Sequence, residues 1–535
     1  MIQTAETPTV AVLNAPRSAA ARATWLAPGG TAERLARVMR TAPGVRDVVA
    51  CVPPGETAAP AGVRLLAREP DRIQREVEKL RQFSPTGFRD GILATTALDD
   101  GIDLPGALQA ARQAKAERIL FVPASSYFAD PALVELLLGT ERSPLEDSTL
   151  RFTKAPQGFG LFSWMTDRVE QAVREGRGPG SVFVYSNDAF TPDPTGTPAC
   201  LALPPGAAAV ARAFRADTPR GLAFCRALEA VVGPRGWERG ALQAVTEAAA
   251  SDPDAWTGSL PRVLELEICS RVNLPRPSLL PPRAALPDMD AGLFRALVDE
   301  FAAAGDGALL LGGHGEPLLH PEAAGLLRYA AERCPAVALA TDGLGLTPEL
   351  VQDSIEAGVA VINLRFGNWG REAYAALNCR DSFEQAVAAG RMVVQAVAKS
   401  GRALPVLVPE VTKTPSGESA LESFYDTFWP GPSWPVIRGH NDFCGRLPSL
   451  AAFTLLPRGR NACRRLEEAL YVLPDGRVAL CAQDLEGSHS TGHAADGLAA
   501  AFAAATRQAA RTAHRQGCCE AASPLCGACT QWATL

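Results

Sequence analysis

No run of roughly eighteen apolar residues occurs in this 535-residue chain, so a membrane-spanning helix is not expected. Its opening, MIQTAETPTVAVLNAPRS, lacks the basic start and apolar run of a secretory signal. The expected protein is therefore soluble and cytoplasmic, with no membrane partner. Positive charge is also scarce: the net charge is -6, and Lys and Arg are spread along the chain rather than clustered. A surface that tracks phosphates needs such clusters, which excludes a nucleic-acid partner. No internal repeat at a fixed period is present, which excludes solenoids and propellers. What is present is an ordinary globular balance, 47% hydrophobic and 21% charged, over a length that one hydrophobic core does not usually reach. Two or three domains follow.

Thirteen cysteines in a reduced compartment are not expected to form a disulfide framework. Ligation of a metal is the better question. Cys51, Cys200, Cys225, Cys269, Cys334, Cys379, Cys444 and one of the Cys518 and Cys519 pair show no ligand spacing. These are read as small buried hydrophobes.

From Thr9 to about Arg235, short apolar strands alternate with helical segments. The strands are read at 9–13, 47–52, 91–97, 118–124 and 181–186, with helical spacing at 71–82 and 105–115. This predicts an α/β layered domain over 1–240 with a parallel sheet. A helix at 239–250 and the sequence SDPDAWTGSLP then lead into a second series, which places a linker at 241–261. Strands at 263–268, 308–313, 336–341, 359–366 and 405–411 alternate with helices at 290–304, 321–333, 347–357 and 382–399. One βα unit every 30 to 45 residues suits a full or partial barrel over 262–445. The remaining 446–535 reads as a small Cys-rich domain with a hairpin, LYVLPDGRVALC, turned at Asp475-Gly476.

Cys463 and Cys481 are separated by twelve residues, Gly476 and four more, so the second thiol ends that hairpin. The terminal GCCEAASPLCGACTQW adds Cys518, Cys519, Cys526 and Cys529, the last two in C-x2-C spacing. The candidate ligands are Cys463, Cys481, Cys526 and Cys529, with Cys519 able to replace one of them. Soft sulfur donors in this number select an iron-sulfur cluster or zinc, and spacing leaves both open. The stretch CRRLEEALYVLPDGRVALCAQD at 463–484, including Asp484, resembles the SPASM domain. That resemblance implies an auxiliary [4Fe-4S] cluster, and this tail suffices for one.

Upstream, LLLGGHGEPLLHP at 309–321 resembles the glycine-rich turn of radical SAM proteins, where removal of Cβ lets backbone approach a ligand. The resemblance continues through 340–350 and 363–394, and it implies contacts from Gly313, Gly315 and Glu316 to S-adenosylmethionine (SAM). Glu316 has a second reading, a turn carboxylate that caps the following helix, and His314 and His320 read as surface histidines. The first loop, LELEICSRVNLPRPSLLPPR at 264–283, keeps the surroundings of a radical SAM loop without its cysteines. Alignment to C-x3-C-x2-C places Val272, Arg276 and Leu279 at the ligand positions. The combination resembles the spiro-SPASM group through 446–484.

In the N-terminal domain, the segments at 42–52, 119–138 and 152–173, with APQGF the most specific, resemble a nucleotidyltransferase that transfers CMP to sugar or polyol phosphates. Its glycine-rich loop is absent from NAPRSAAARATW at 14–25. After the fourth strand the chain offers Ser125 and Ser126 where that family holds magnesium, and Asp130 reads as the N-cap of the next helix. Three functions follow as expectations. The first is a cluster-binding protein without radical generation, acting in electron transfer or as an accessory to peptide or protein modification. The others are nucleotide transfer by the N-terminal domain and a zinc-stapled scaffold.

Overall fold

The computed structural model describes residues 6–16, 19–83, 102–124, 126–139, 150–153, 155–156, 158–176, 200–203, 214–253, 258–428, 433–451, 460 and 462–532. The strands expected at 91–97 and 181–186, and Ser125, lie outside these residues. The chain divides into two compact units, with the change near residue 258. Each is mixed α/β. No described helix is long and apolar enough to cross a membrane.

Among the described residues the N-terminal unit carries β1 (Thr9–Asn14), β2 (Val45–Val52), β3 (Arg64–Ala67), β4 (Arg118–Val122), β5 (Leu150–Thr153), β6 (Phe162–Met165) and β7 (Cys200–Leu201). They form one sheet in the order β3-β2-β1-β4-β6-β5-β7. The alternation in β1 and β4 explains why both faces are covered: Val10, Val12, Ile119 and Phe121 enter one core, Ala11, Leu13, Leu120 and Val122 the other. β1 to β4 are parallel, as expected, but β6 runs antiparallel to β4 and β5. Only eight residues separate β5 from β6, too few for a parallel crossover. The helix Ala241–Ser251 packs Leu242 and Val245 into the core of this unit.

Asp130 is the N-cap of helix Pro131–Leu138, accepting from the Ala132 amide at 2.8 Å, as its place before Pro131 suggested. Its carboxylate also accepts the amides of Gly240 and Leu242 at 3.2 and 3.0 Å. Three amides on one buried carboxylate leave it a structural group. Asp130→Ala is expected to cost about 2 kcal/mol, the upper range for a cap plus stranded buried amides, read as a lower urea midpoint.

The C-terminal unit is built on β8 (Val263–Leu266), β9 (Ala308–Leu311), β10 (Ala336–Thr341), β11 (Val361–Gly367), β12 (Val406–Thr412) and β13 (Val436–Arg438). All are parallel to their neighbours in chain order, and helices Ala291–Ala302, Ala323–Arg333, Pro348–Ala357 and Phe383–Ser400 fill the crossovers. Their Phe294, Leu297, Leu326, Ile355 and Val393 share one core with the strands. The last segment does not stand apart: β14 (Ala469–Val472) joins the same sheet beside β8 in parallel register, Leu470 opposite Leu264. It then turns through residues 473–476, with Gly476 at φ +85°, into β15 (Arg477–Ala479) and β16 (Gly492–His493). The Ala-rich stretch that follows forms two helices, Leu498–Phe502 and Ala505–Arg515.

Candidate metal centre

Five sulfurs line one cavity of the C-terminal unit: Cys444, Cys463, Cys481, Cys526 and Cys529. Cys481 arrives at the end of β15 and Cys463 at the start of the short helix Arg464–Glu468. Cys526 and Cys529 come from the last short helix, Pro524–Ala528, and its C-cap. The four thiols that spacing singled out therefore meet, whereas Cys519, buried, is not among the lining residues.

Cys444 takes the fifth place, and its spacing gave no sign of it. Phe443, Cys444 and Gly445 have φ of +50°, +61° and +82°, a left-handed run that bulky residues avoid. Asx bonds hold it, with the Phe443 amide donating to Asn441 at 3.0 Å and the Cys444 amide to Asp442 at 3.1 Å. Backbone strain of this kind persists where surrounding structure over-determines it. Of the other cysteines read as buried hydrophobes, Cys51, Cys225, Cys269 and Cys334 are buried. Cys379 and Cys518 are exposed, so that reading fails for Cys379.

The donor set fits a thiolate-ligated metal group. The Gln483 amide donates to the Cys481 sulfur at 3.4 Å and the Gln531 amide to the Cys529 sulfur at 3.2 Å. The Leu466 and Arg465 amides favour the Cys463 thiolate in the same way. Such N–H donors stabilise the charged form of sulfur. Burial pushes Cys481 up to about 12 and raises Cys463 and Cys526, while the hydrogen bond from Cys444 lowers Cys529 to about 7. Without a cation most of these thiols keep their protons, so loading a metal here would release them. Among the described residues no group of three or more His, Cys, Asp or Glu side chains is already arranged to hold a metal ion.

Beyond the end of β9 the groups assigned by resemblance are bonded within the protein. The Gly315 amide donates to Glu267 at 2.8 Å, and the Gly313 carbonyl accepts from Arg365 at 2.9 Å. Glu316 caps the turn Pro317–Leu319 through the Leu318 amide and also accepts from Thr341 Oγ1 and the Asp342 amide, each at 2.8 Å. Burial and the neighbouring Asp342 raise its pKa. A Cβ on Gly315 would stand 1.9 Å from the Cys269 carbonyl, and one on Gly313 would stand 2.8 Å from the Tyr471 hydroxyl. Internal packing already explains both glycines.

Val272 is 39% exposed, Leu279 packs at Gly367, and Arg276 turns inward at φ +47°, 6% exposed, donating to the Arg365 carbonyl at 2.7 Å. The three positions aligned by resemblance to C-x3-C-x2-C thus carry one surface side chain and two packed ones. His320 is not a surface histidine: it is 6% exposed, with Nε2 3.1 Å from the Met289 carbonyl and Nδ1 accepting the Glu322 amide at 3.0 Å. His314 is half-buried, its Nε2 2.9 Å from the Pro281 carbonyl, and burial lowers its pKa.

No family model matches the chain. An uncharacterized protein of Treponema pallidum (strain Nichols) is 32% identical over 89 residues, 17% of this chain and 25% of that protein, so the match spans a quarter of the relative's length. Among solved structures, BtrN in complex with AdoMet and 2-DOIA is 17% identical, covering 50% of this chain and 92% of that one at a TM-score of 0.35. Streptococcus suis SuiB bound to its precursor peptide SuiA is 11% identical, covering 51% and 71% at 0.41. Native anSMEcpe with bound AdoMet is 12% identical, covering 47% and 83% at 0.37. The chain is similar to these proteins over about half its length, at scores that leave its function to be read from its own residues.

Proposed function

We propose that the C-terminal unit is a barrel of the radical SAM and SPASM lineage that has given up radical generation and keeps one [4Fe-4S] cluster in its tail. It would serve electron transfer or act as an accessory to peptide or protein modification. The observation that carries this reading is the gathering of five sulfurs in one cavity while no cysteine stands at the barrel-loop positions. When bound, such a cluster supplies reversible one-electron storage. Cys463, Cys481, Cys526 and Cys529 would hold it, and the amides of Gln483 and Gln531 would favour their thiolate forms. A zinc ion would need four sulfurs within about 2.3 Å of one point. The same four cysteines suit either group, and iron and sulfide content decide between them.

For SAM the same reading expects little. The Gly315 amide, Glu316 and the Gly313 carbonyl are spent on Glu267, Thr341, Asp342 and Arg365. Nor does the reading give the N-terminal unit nucleotide transfer, because Asp130 is consumed by three amides. Two assays test it together. Dithionite should bleach the visible thiolate-to-iron absorption reversibly, and the reduced protein given SAM should form no 5′-deoxyadenosine. Pyrophosphate release from CTP with magnesium should be absent; sustained release would restore the nucleotidyltransferase reading.

A further inference from the structure

A surface helix ordinarily buries an apolar stripe. The helix Ala505–Arg515 instead buries Arg507, Ala510, Arg511 and His514, at 0%, 2%, 0% and 4% exposure. Arg507, Arg511 and His514 fall at i, i+4 and i+7, which places three nitrogen-rich side chains on one inward face. Arg507 donates to the carbonyls of Leu480 at 3.2 Å and of Arg465 and Leu466 at 2.9 Å, around the two segments that deliver Cys481 and Cys463. His514 lines the sulfur cavity, and among the described residues neither ring nitrogen has a hydrogen-bond partner. Gln483, 4% exposed, lines the same cavity with its Oε1 also unpartnered. Buried polar atoms are nearly always satisfied, so two such groups on one cavity point to an occupant with which they bond.

We propose that this buried basic face is the electrostatic counterpart of the thiolate site, with His514 donating a ring N–H to a sulfur of the bound cluster. The inference rests on the cluster reading above and adds to it a positioning and tuning role for the helix. An anionic metal-thiolate group is costly to bury unless cations and donors face it. Arg507, bonded to the carbonyls of Leu480, Arg465 and Leu466, brings its guanidinium to the segments that carry Cys481 and Cys463, and His514 supplies a directed hydrogen bond. Such a bond favours the more negative, reduced state and therefore raises the reduction potential.

The test uses the full-length protein purified anaerobically. Pulsed EPR of the dithionite-reduced wild-type protein is expected to show a weak nitrogen coupling whose pattern changes when histidine alone carries nitrogen-15. His514→Phe should remove that coupling and make the midpoint potential more negative at unchanged iron content. His514→Asn, which keeps an N–H donor, should recover part of the shift. Iron bound without histidine coupling, and with the same potential in His514→Phe, overturns this inference and leaves the cluster reading standing. Wild-type protein without iron overturns both. Should His514→Phe fail to fold, the labelling result on the wild-type protein decides alone.

Discussion

Cys481→Ser is expected to lower the iron bound by the anaerobically purified protein at least about tenfold, with matching loss of visible absorption. Loss of a supporting residue around a metal already costs roughly 10- to 100-fold in affinity, and loss of a direct sulfur ligand costs no less. Cys481 is a sharp test because its place is fixed from two sides. β15 pairs with β14, which lies beside β8, and the Gln483 amide holds the sulfur. Cys519→Ser is the matched control. That thiol is buried but does not line the cavity, so iron content should remain at the wild-type value. Equal iron in both variants would remove Cys481 from the site.

The second large effect lies in the bonds that join β8 to the C-terminal hairpin. Glu267 is fully buried and pairs with Arg283, whose side chain is 3% exposed. It also accepts from the Tyr471 hydroxyl at 2.7 Å and the Gly315 amide at 2.8 Å. Arg283 in turn donates to the Leu485 carbonyl at 2.9 Å, just beyond the hairpin. Glu267→Ala would leave a buried guanidinium without its counter-charge and strand a hydroxyl and an amide. Removing one partner of a buried pair costs roughly 3–5 kcal/mol, against about 1 kcal/mol or less for an exposed one. Urea unfolding should show a midpoint lowered to match. A change below about 1 kcal/mol would mean that the network does not hold the hairpin in place.

How much of this was legible in the sequence depends on the range of each interaction. The parallel strands of the C-terminal unit and their crossover helices were readable because each buries its own apolar pattern: Ala336–Thr341 is buried throughout, and Phe294, Leu297 and Phe301 recur at helical spacing. The caps were equally local. Asp130 and Glu316 bond to amides within a few residues, so chain position sufficed to read them as caps. What Glu316 does with Thr341 and Asp342 was not readable, because it depends on where a neighbouring strand ends.

The pairing of β14 with β8 joins residues about two hundred positions apart, and nothing in LYVL names VLEL as its neighbour. Cys444 was missed for a related reason. Its approach to the cavity depends on three left-handed residues, Phe443 to Gly445, of which only the glycine advertises that conformation. The basic face of Ala505–Arg515 was hidden by the ordinary rule that arginines point to solvent. Arg507 and Arg511 break that rule, and the rule is most often broken where a site must be served.

If the tail sulfurs hold an iron-sulfur cluster, iron, acid-labile sulfide and zinc determined on one anaerobically purified sample should come to about four irons and about four sulfides per chain with little zinc. About one zinc per chain with negligible sulfide would contradict the cluster reading.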